Sequence, residues 1–150
     1  GKVVKKIKMG KLKFAPPGGN AVVSVDDIIE AHKLVMEKGR AGENYIFANE
    51  CMPYTEMFSK IALLLGKSPV TKTVPKWILP VAKPILSVYE KILTPLKKKP
   101  LLSSHSLNFS FKFRYFDSSK ARNELGWIPK DSFNCAMQKA ISFYEKHNLI

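Results

Sequence analysis

The sequence predicts an α/β fold, mostly helical, with one short parallel β-α-β piece. Three observations point there. The β-branched run Ala21–Val25 and the apolar run Asn44–Ala48 (NYIFA) are each short, bounded by turn residues and suited to a strand. Between them Ile28, Ile29, Leu34 and Val35 recur at helical spacing, over a length sufficient for the crossover that parallel pairing needs. Helical patterns then fill most of the chain beyond Ala48. Two strands alone cannot bury a sheet face, so the rest of the sheet is expected outside this chain.

Taken in order, VVKKIKM over residues 3–9 reads as the end of a helix stopped by Gly10. Lys11 to Ala15 suits an extended piece, and Pro16-Pro17-Gly18-Gly19 is a firm break. After the first strand, Asp26 or Asp27 is expected to cap the crossover helix, which Gly39 ends. A helix from about Tyr54 to Leu65 gathers Met57, Phe58, Ile61, Leu64 and Leu65 on one face, with Gly66 past its end. Residues 75–96 suggest one or two helices divided by Pro80 and Pro84, followed by the basic knot Lys97–Lys99. Residues 101–113 fit helix and strand equally badly. A one-turn helix over about Ser118–Leu125 and an amphipathic helix over about Ser132–His147 complete the chain.

With 150 residues, 45% of them hydrophobic, the chain is long enough for a sizeable core and too apolar for disorder. Its apolar runs are broken by lysine or proline well before the ~20 residues of a membrane span. The net charge of +13 is uneven: residues 1–25 hold six lysines and no acid, residues 26–56 seven acids against three bases, and residues 57–116 eleven bases against Glu90. Such asymmetry admits a phosphate-bearing ligand, a nucleic acid or an anionic membrane surface. Lysine carries most of the excess, which suits a solvated surface better than a bidentate phosphate reader. Cys51 and Cys135 match no zinc spacing and are expected to be free thiols in a cytoplasmic protein.

Several motifs invite chemistry and have plainer explanations. Gly39-Arg40-Ala41-Gly42 matches the GxxG loop that clamps nucleic-acid backbone, but such a loop joins two helices. Here it lies between a helix and NYIFA, and a helix cap with a turn is favoured. Ser118-Ser119-Lys120 resembles a serine–lysine nucleophile, yet Asp117 and Ser118 stand where a helix cap belongs, with Glu124 spaced to pair with Lys120. His32, His105 and His147 have no metal spacing. The stripe Trp77, Ile78, Val81, Ile85, Val88, Tyr89, Ile92 suits a packing face, with a membrane-surface role as the secondary expectation. None of the five tyrosines has lysine four residues later, and no GxxGxxG, GxGxxG or Walker loop occurs. No catalytic, cofactor-binding or metal residue is expected in this chain.

GKLKFAPPGGNAVVSVDDIIEAH, EKGRAGENYIFANE and FDSSKARNELGWIPK, closed by a helix ending FYEKH, resemble in that order the C-terminal half of extended short-chain dehydrogenases/reductases. Within these NAD-dependent epimerases/dehydratases the chain looks most like the dihydroflavonol-reductase-like and hopanoid-associated sugar-epimerase group. The resemblance covers nearly the whole chain. It implies a substrate domain over residues 1–150, with the glycine loop and catalytic Tyr-x-x-x-Lys in an N-terminal Rossmann half that this chain lacks. The complete enzyme would use NAD or NADP. The DSSKA…LGWIP element is similar to a clip that closes the substrate domain: Asp117 or Ser118 capping, Leu125 and Trp127 buried, Pro129 setting the entry to the last helix. Asp27 has a structural role in the same picture.

Pocket-wall positions transfer to Asn20 and Val22. Nucleotide-sugar epimerases of the superfamily typically carry arginine where Asn20 stands and often an aromatic where Val22 stands, which argues against a UDP-sugar. Pro53 replaces a frequent capping threonine and would open the following helix. The expected partners are thus the Rossmann half and a small-molecule substrate, not nucleic acid. A homodimer is expected through an open sheet edge, where Val23, Ile46 and Phe47 would be exposed. The competing function is a non-catalytic basic module for anionic lipid or nucleic acid.

Overall fold

The computed structural model describes residues 1–75, 77, 78, 80, 84 and 109–150. The helices expected over 75–96 lie almost entirely outside these residues, as do most of the Trp77–Ile92 stripe, the Lys97–Lys99 knot and most of 101–113. Helix α1 (Lys2–Lys8) leads through β1 (Phe14–Ala15) to β2 (Gly19–Val22) and α2 (Val25–Lys38). Then come β3 (Glu50–Pro53), α3 (Tyr54–Leu64), β4 (Lys72–Thr73), β5 (Phe113–Arg114), α4 (Ser119–Leu125) and α5 (Phe133–Lys146). The chain is helix-rich, with short parallel pairings of β1 with β4 and of β2 with β5.

The parallel pairs are not the expected ones, because apolar content alone misplaces both strands beside the crossover helix. The first strand begins earlier, at Gly19, where the backbone of 110–112 runs hard against the glycine pair. A Cβ on Gly18 would stand 2.4 Å from the Lys112 carbonyl oxygen, and one on Gly19 would stand 2.7 Å from the Tyr115 hydroxyl. Only glycine permits that approach. The second strand is Glu50–Pro53, and it pairs antiparallel with β2, Ala21 opposite Cys51 and Val22 opposite Glu50. NYIFA is not a strand: its apolar residues pack sideways onto helices instead. Central β2 is therefore flanked by β3 and β5.

Two cores lie against this small sheet, and β2 feeds both. Val22 packs on the larger one, built from Val4, Ile7, Met52, Phe58, Ile61, Phe133 and Ile141 of α1, β3, α3 and α5 with their neighbours. Val23 packs on the smaller one, made of Ala31, Ala121, Leu125 and Trp127, with Tyr45 and Phe47 at its margin. Val22, the last residue of β2, and Val23, just past it, thus face different cores. It also corrects the expected open edge. Val23 and Phe47 are covered by α2 and α4, and Ile46 alone of the three is exposed, at 48%.

Candidate substrate-pocket wall and its supporting clip

The clip is built around Asp27. Ser24, not Asp26 or Asp27, caps α2: its hydroxyl accepts from the Asp27 N–H at 3.0 Å. That leaves the Asp27 carboxylate free for a distant task. Its two oxygens accept from the backbone N–H groups of Lys130 at 2.8 Å and Asp131 at 3.2 Å, while its carbonyl accepts from Trp127 Nε1 at 3.2 Å. Trp127 and Leu125 are both 0% exposed. Phe47 meets the indole edge-on, with centroids 5.1 Å apart, and Gly126 turns the chain between the two buried residues at a φ of +71°. Pro129, half-buried, stands between the indole and the clamped N–H pair. Entry to α5 is set by Ser132, which accepts from the Cys135 N–H at 3.3 Å.

At the head of α4 the two expected caps divide their work. Asp117 accepts from the Ser119 N–H at 2.9 Å and from the Ser119 hydroxyl, bonds that hold its carboxyl below the usual carboxylate range. Ser118 makes no cap bond; buried, it donates to the Ala48 carbonyl at 2.9 Å and ties α4 to the segment before β3. Lys120 and Glu124 do not pair with each other. Lys120 reaches Glu43 at 2.6 Å and Glu124 takes Arg40 at 2.8 Å and the Tyr45 hydroxyl at 3.0 Å. Hydrogen bonding to Lys120 lowers the Glu43 pKa and correspondingly raises that of Lys120. The GRAGENY loop is thereby bolted to α4, and Lys120 is engaged in an ion pair. That is an architectural use of every group in the serine–lysine motif.

The two positions expected to line a substrate pocket lie on one face of β3-β2-β5. Asn20 and Val22, two residues apart, share it, both half-buried. Val22 borders a shallow groove of about 400 Å³ between the α2 start and α5, lined also by Val25, Phe133, Met137 and Ala140. Asn20 lies in register with Met52 on one side and Arg114 on the other. Arg114 is a residue sequence reasoning passed over. Its Nη2 donates to the Tyr54 hydroxyl at 3.3 Å, and its guanidinium stands over the Phe109 ring, 5.3 Å from the centroid. One signal was available: Arg114 is the sole arginine among the eleven bases of residues 57–116. No group of three His, Cys, Asp or Glu side chains among the described residues is arranged to hold a metal ion.

This fold is that of extended short-chain dehydrogenases/reductases, and the chain corresponds to their C-terminal part. It is similar, with 28% identity over 136 residues, to a dihydroflavonol 4-reductase-like protein of Synechocystis sp., covering 88% of this chain and 38% of the relative. It is 31% identical over 121 residues to the dTDP-glucose 4,6-dehydratase of Haemophilus influenzae, covering 80% of the chain and 30% of that enzyme. No family model matches. Among solved structures, a nucleoside-diphosphate-sugar epimerase from Pseudomonas aeruginosa superposes with a TM-score of 0.74 at 20% identity, over 98% of this chain and 42% of the other. The chain thus spans between 30% and 45% of the length of the curated relatives it matches. Several structural neighbours were solved with NAD or NADPH bound.

Proposed function

We propose that this chain supplies the substrate-binding wall of an NAD(P)-dependent reductase or epimerase, and that a Rossmann half supplies the cofactor site and the catalytic tyrosine and lysine. The observation that carries this reading is an asymmetry. The chain aligns over nearly all of itself with fewer than half the residues of its relatives, and it has no glycine loop or Tyr-x-x-x-Lys of its own. Asn20 and Val22 form the wall, and the Asp27–Trp127 clip holds β2 and the α2 start in place beneath them. Alone, the chain is inactive. The Rossmann half docks along the short sheet. A basic module for lipid or nucleic acid gains no support from the relatives.

Titration of residues 1–150 with NADH and NADPH, followed by nicotinamide fluorescence, tests the division of labour. No saturable binding is expected up to millimolar cofactor. Micromolar affinity for either would overturn it, because the chain would then hold a cofactor site of its own.

A further inference from the structure

Two helix ends and two short strands gather three lysines around one groove. Helix α1 is followed by Gly10 and α3 by Gly66, which turn the chain at φ values of +68° and +66°. From there the chain runs into β1 and β4, whose parallel register sets Phe14 opposite Lys72. Lys13, just before β1, therefore lies beside the 67–72 segment. The groove between them has a volume of about 370 Å³, within the range of small-ligand sites. Buried Ile7 and Val70 contribute its apolar lining, and the Ser59 hydroxyl, donating to the Val70 carbonyl at 3.0 Å, ties the segment to α3. Lys13, Lys67 and Lys72 supply its charge, Ser68 and Thr71 add hydroxyls, and no acidic side chain lines it.

An unpaired lysine at a surface is ordinary, and a lysine near a helix end has a plain use. Each C-terminus carries about half an elementary negative charge, so the ends of α1 and α3 offset about one lysine of the three. The last turns of both helices are moreover closed by main chain: Lys11 N–H donates to the Lys6 carbonyl at 2.9 Å, and Lys67 N–H to the Ala62 carbonyl at 2.8 Å. A surplus of about two positive charges remains over one concave surface. The side chains of Lys13, Lys67, Lys72, Ser68 and Thr71 have no hydrogen bond or ion pair among the described residues. A cleft lined by one sign of charge focuses its field and draws counter-ions into it. Lysine is a poor bidentate reader, but it holds phosphate as a point charge, and hydroxyls donate to phosphate oxygens. We propose that this groove binds a ligand bearing phosphate monoester or diphosphate groups, held by the three lysines and by Ser68 and Thr71. Its lining shares no residue with the groove beside Val22, so this is a second site on the chain. The same chemistry accepts a soluble phosphate ester or a lipid head group.

Calorimetric titration of this chain with inorganic pyrophosphate at low salt is expected to show binding in the millimolar range or tighter. Lys67→Gln/Lys72→Gln should weaken it at least tenfold. Lys33→Gln/Lys38→Gln, on exposed positions of α2, removes the same charge outside the groove and should bind as the wild type does. Pyrophosphate should raise the melting midpoint of the wild type and of this control, and not that of Lys67→Gln/Lys72→Gln. Lys13→Gln, from the β1 side, should weaken binding severalfold by itself, and it reads the same site if the double variant melts early. Co-sedimentation with phosphatidylcholine vesicles containing phosphatidate separates the two sources. Pelleting that is lost in Lys67→Gln/Lys72→Gln assigns the site to a lipid head group, whereas pyrophosphate binding without pelleting assigns it to a soluble ligand. Three results would overturn the site. They are equal weakening by the two double variants, undiminished binding by Lys67→Gln/Lys72→Gln or Lys13→Gln, and no binding in either arm with pyrophosphate at about 10 mM, well past a millimolar dissociation constant.

Discussion

Asp27 joins two segments a hundred residues apart through one residue, side chain and main chain both. Its carboxylate holds two successive N–H groups and its carbonyl holds the indole N–H. Hydrogen bonds to a charged acceptor contribute about 1.5–3 kcal/mol each. Asp27→Ala should therefore destabilise the fold by about 3 kcal/mol or more, since two N–H groups lose their acceptor. Trp127→Ala removes the largest fully buried side chain and should cost ~3–5 kcal/mol. Chemical denaturation of the two variants and of their double would check both figures. The double should fall short of the sum, because both changes loosen the same 127–131 segment. Ser119→Ala should cost far less, as the Asp117 carboxylate keeps its backbone donor. Full additivity, or a Trp127 variant as stable as the parent, would refute the clip.

At the scale of elements, the helix starts are where charge and capping act together. Ser24→Ala removes the α2 cap and should cost ~1 kcal/mol by the same denaturation assay, whereas a wild-type midpoint would show that Asp26 and Asp27 suffice. The acid limit should follow the carboxylates before α4 and α5 and in the loop after α2. Lys139 holds the Asp131 carboxyl below its ordinary value, as Lys120 does Glu43 and Ser119 does Asp117. A carboxyl depressed in the folded state stabilises it above the unfolded pKa, and that contribution is lost as pH falls through the folded value. Melting midpoints should thus be flat near neutrality and drop below the normal carboxylate range. Asp131→Asn should lower the neutral midpoint and flatten the acid drop, and an unchanged profile would refute the Asp131–Lys139 contribution. These helices were legible in the sequence because periodicity and local caps are local properties. Their partners were not. Glu124 and Lys120 have ideal i, i+4 spacing, yet each finds a better partner on the GRAGENY loop, 77 or more residues away in the chain. Asn44–Ala48 has the composition of a strand, and only the presence of Trp127 tells that Phe47 packs on an indole instead.

In the molecule as a whole, the described residues form two hydrophobic cores, joined through β2, the turn into α2 and the bonds of Asp26 and Asp27 to residues 130–139. The larger holds α1, α3 and α5 together, and the smaller holds α2 to α4. Relatedness to the reductases was legible in advance because it rests on consecutive motifs. The strand arrangement was not, because which strand lies beside β2 depends on residues remote in sequence. Of the proposed wall, Asn20 and Val22 lie within a recognisable motif, whereas the register that sets Arg114 next to Asn20 depends on residues remote in sequence. Two cores with no residue in common should behave as separately destabilised units. Loss of the indole in Trp127→Ala empties the smaller core, whose other fully buried members are Leu125 and two alanines. The backbone amides of α2 and α4 should then exchange with solvent at least tenfold faster, while those of α3 and α5 keep their protection. Hydrogen exchange read by mass spectrometry would decide it. A uniform rise across all four helices would mean that the two cores unfold as one, and that β2 is only as rigid as the clip behind it.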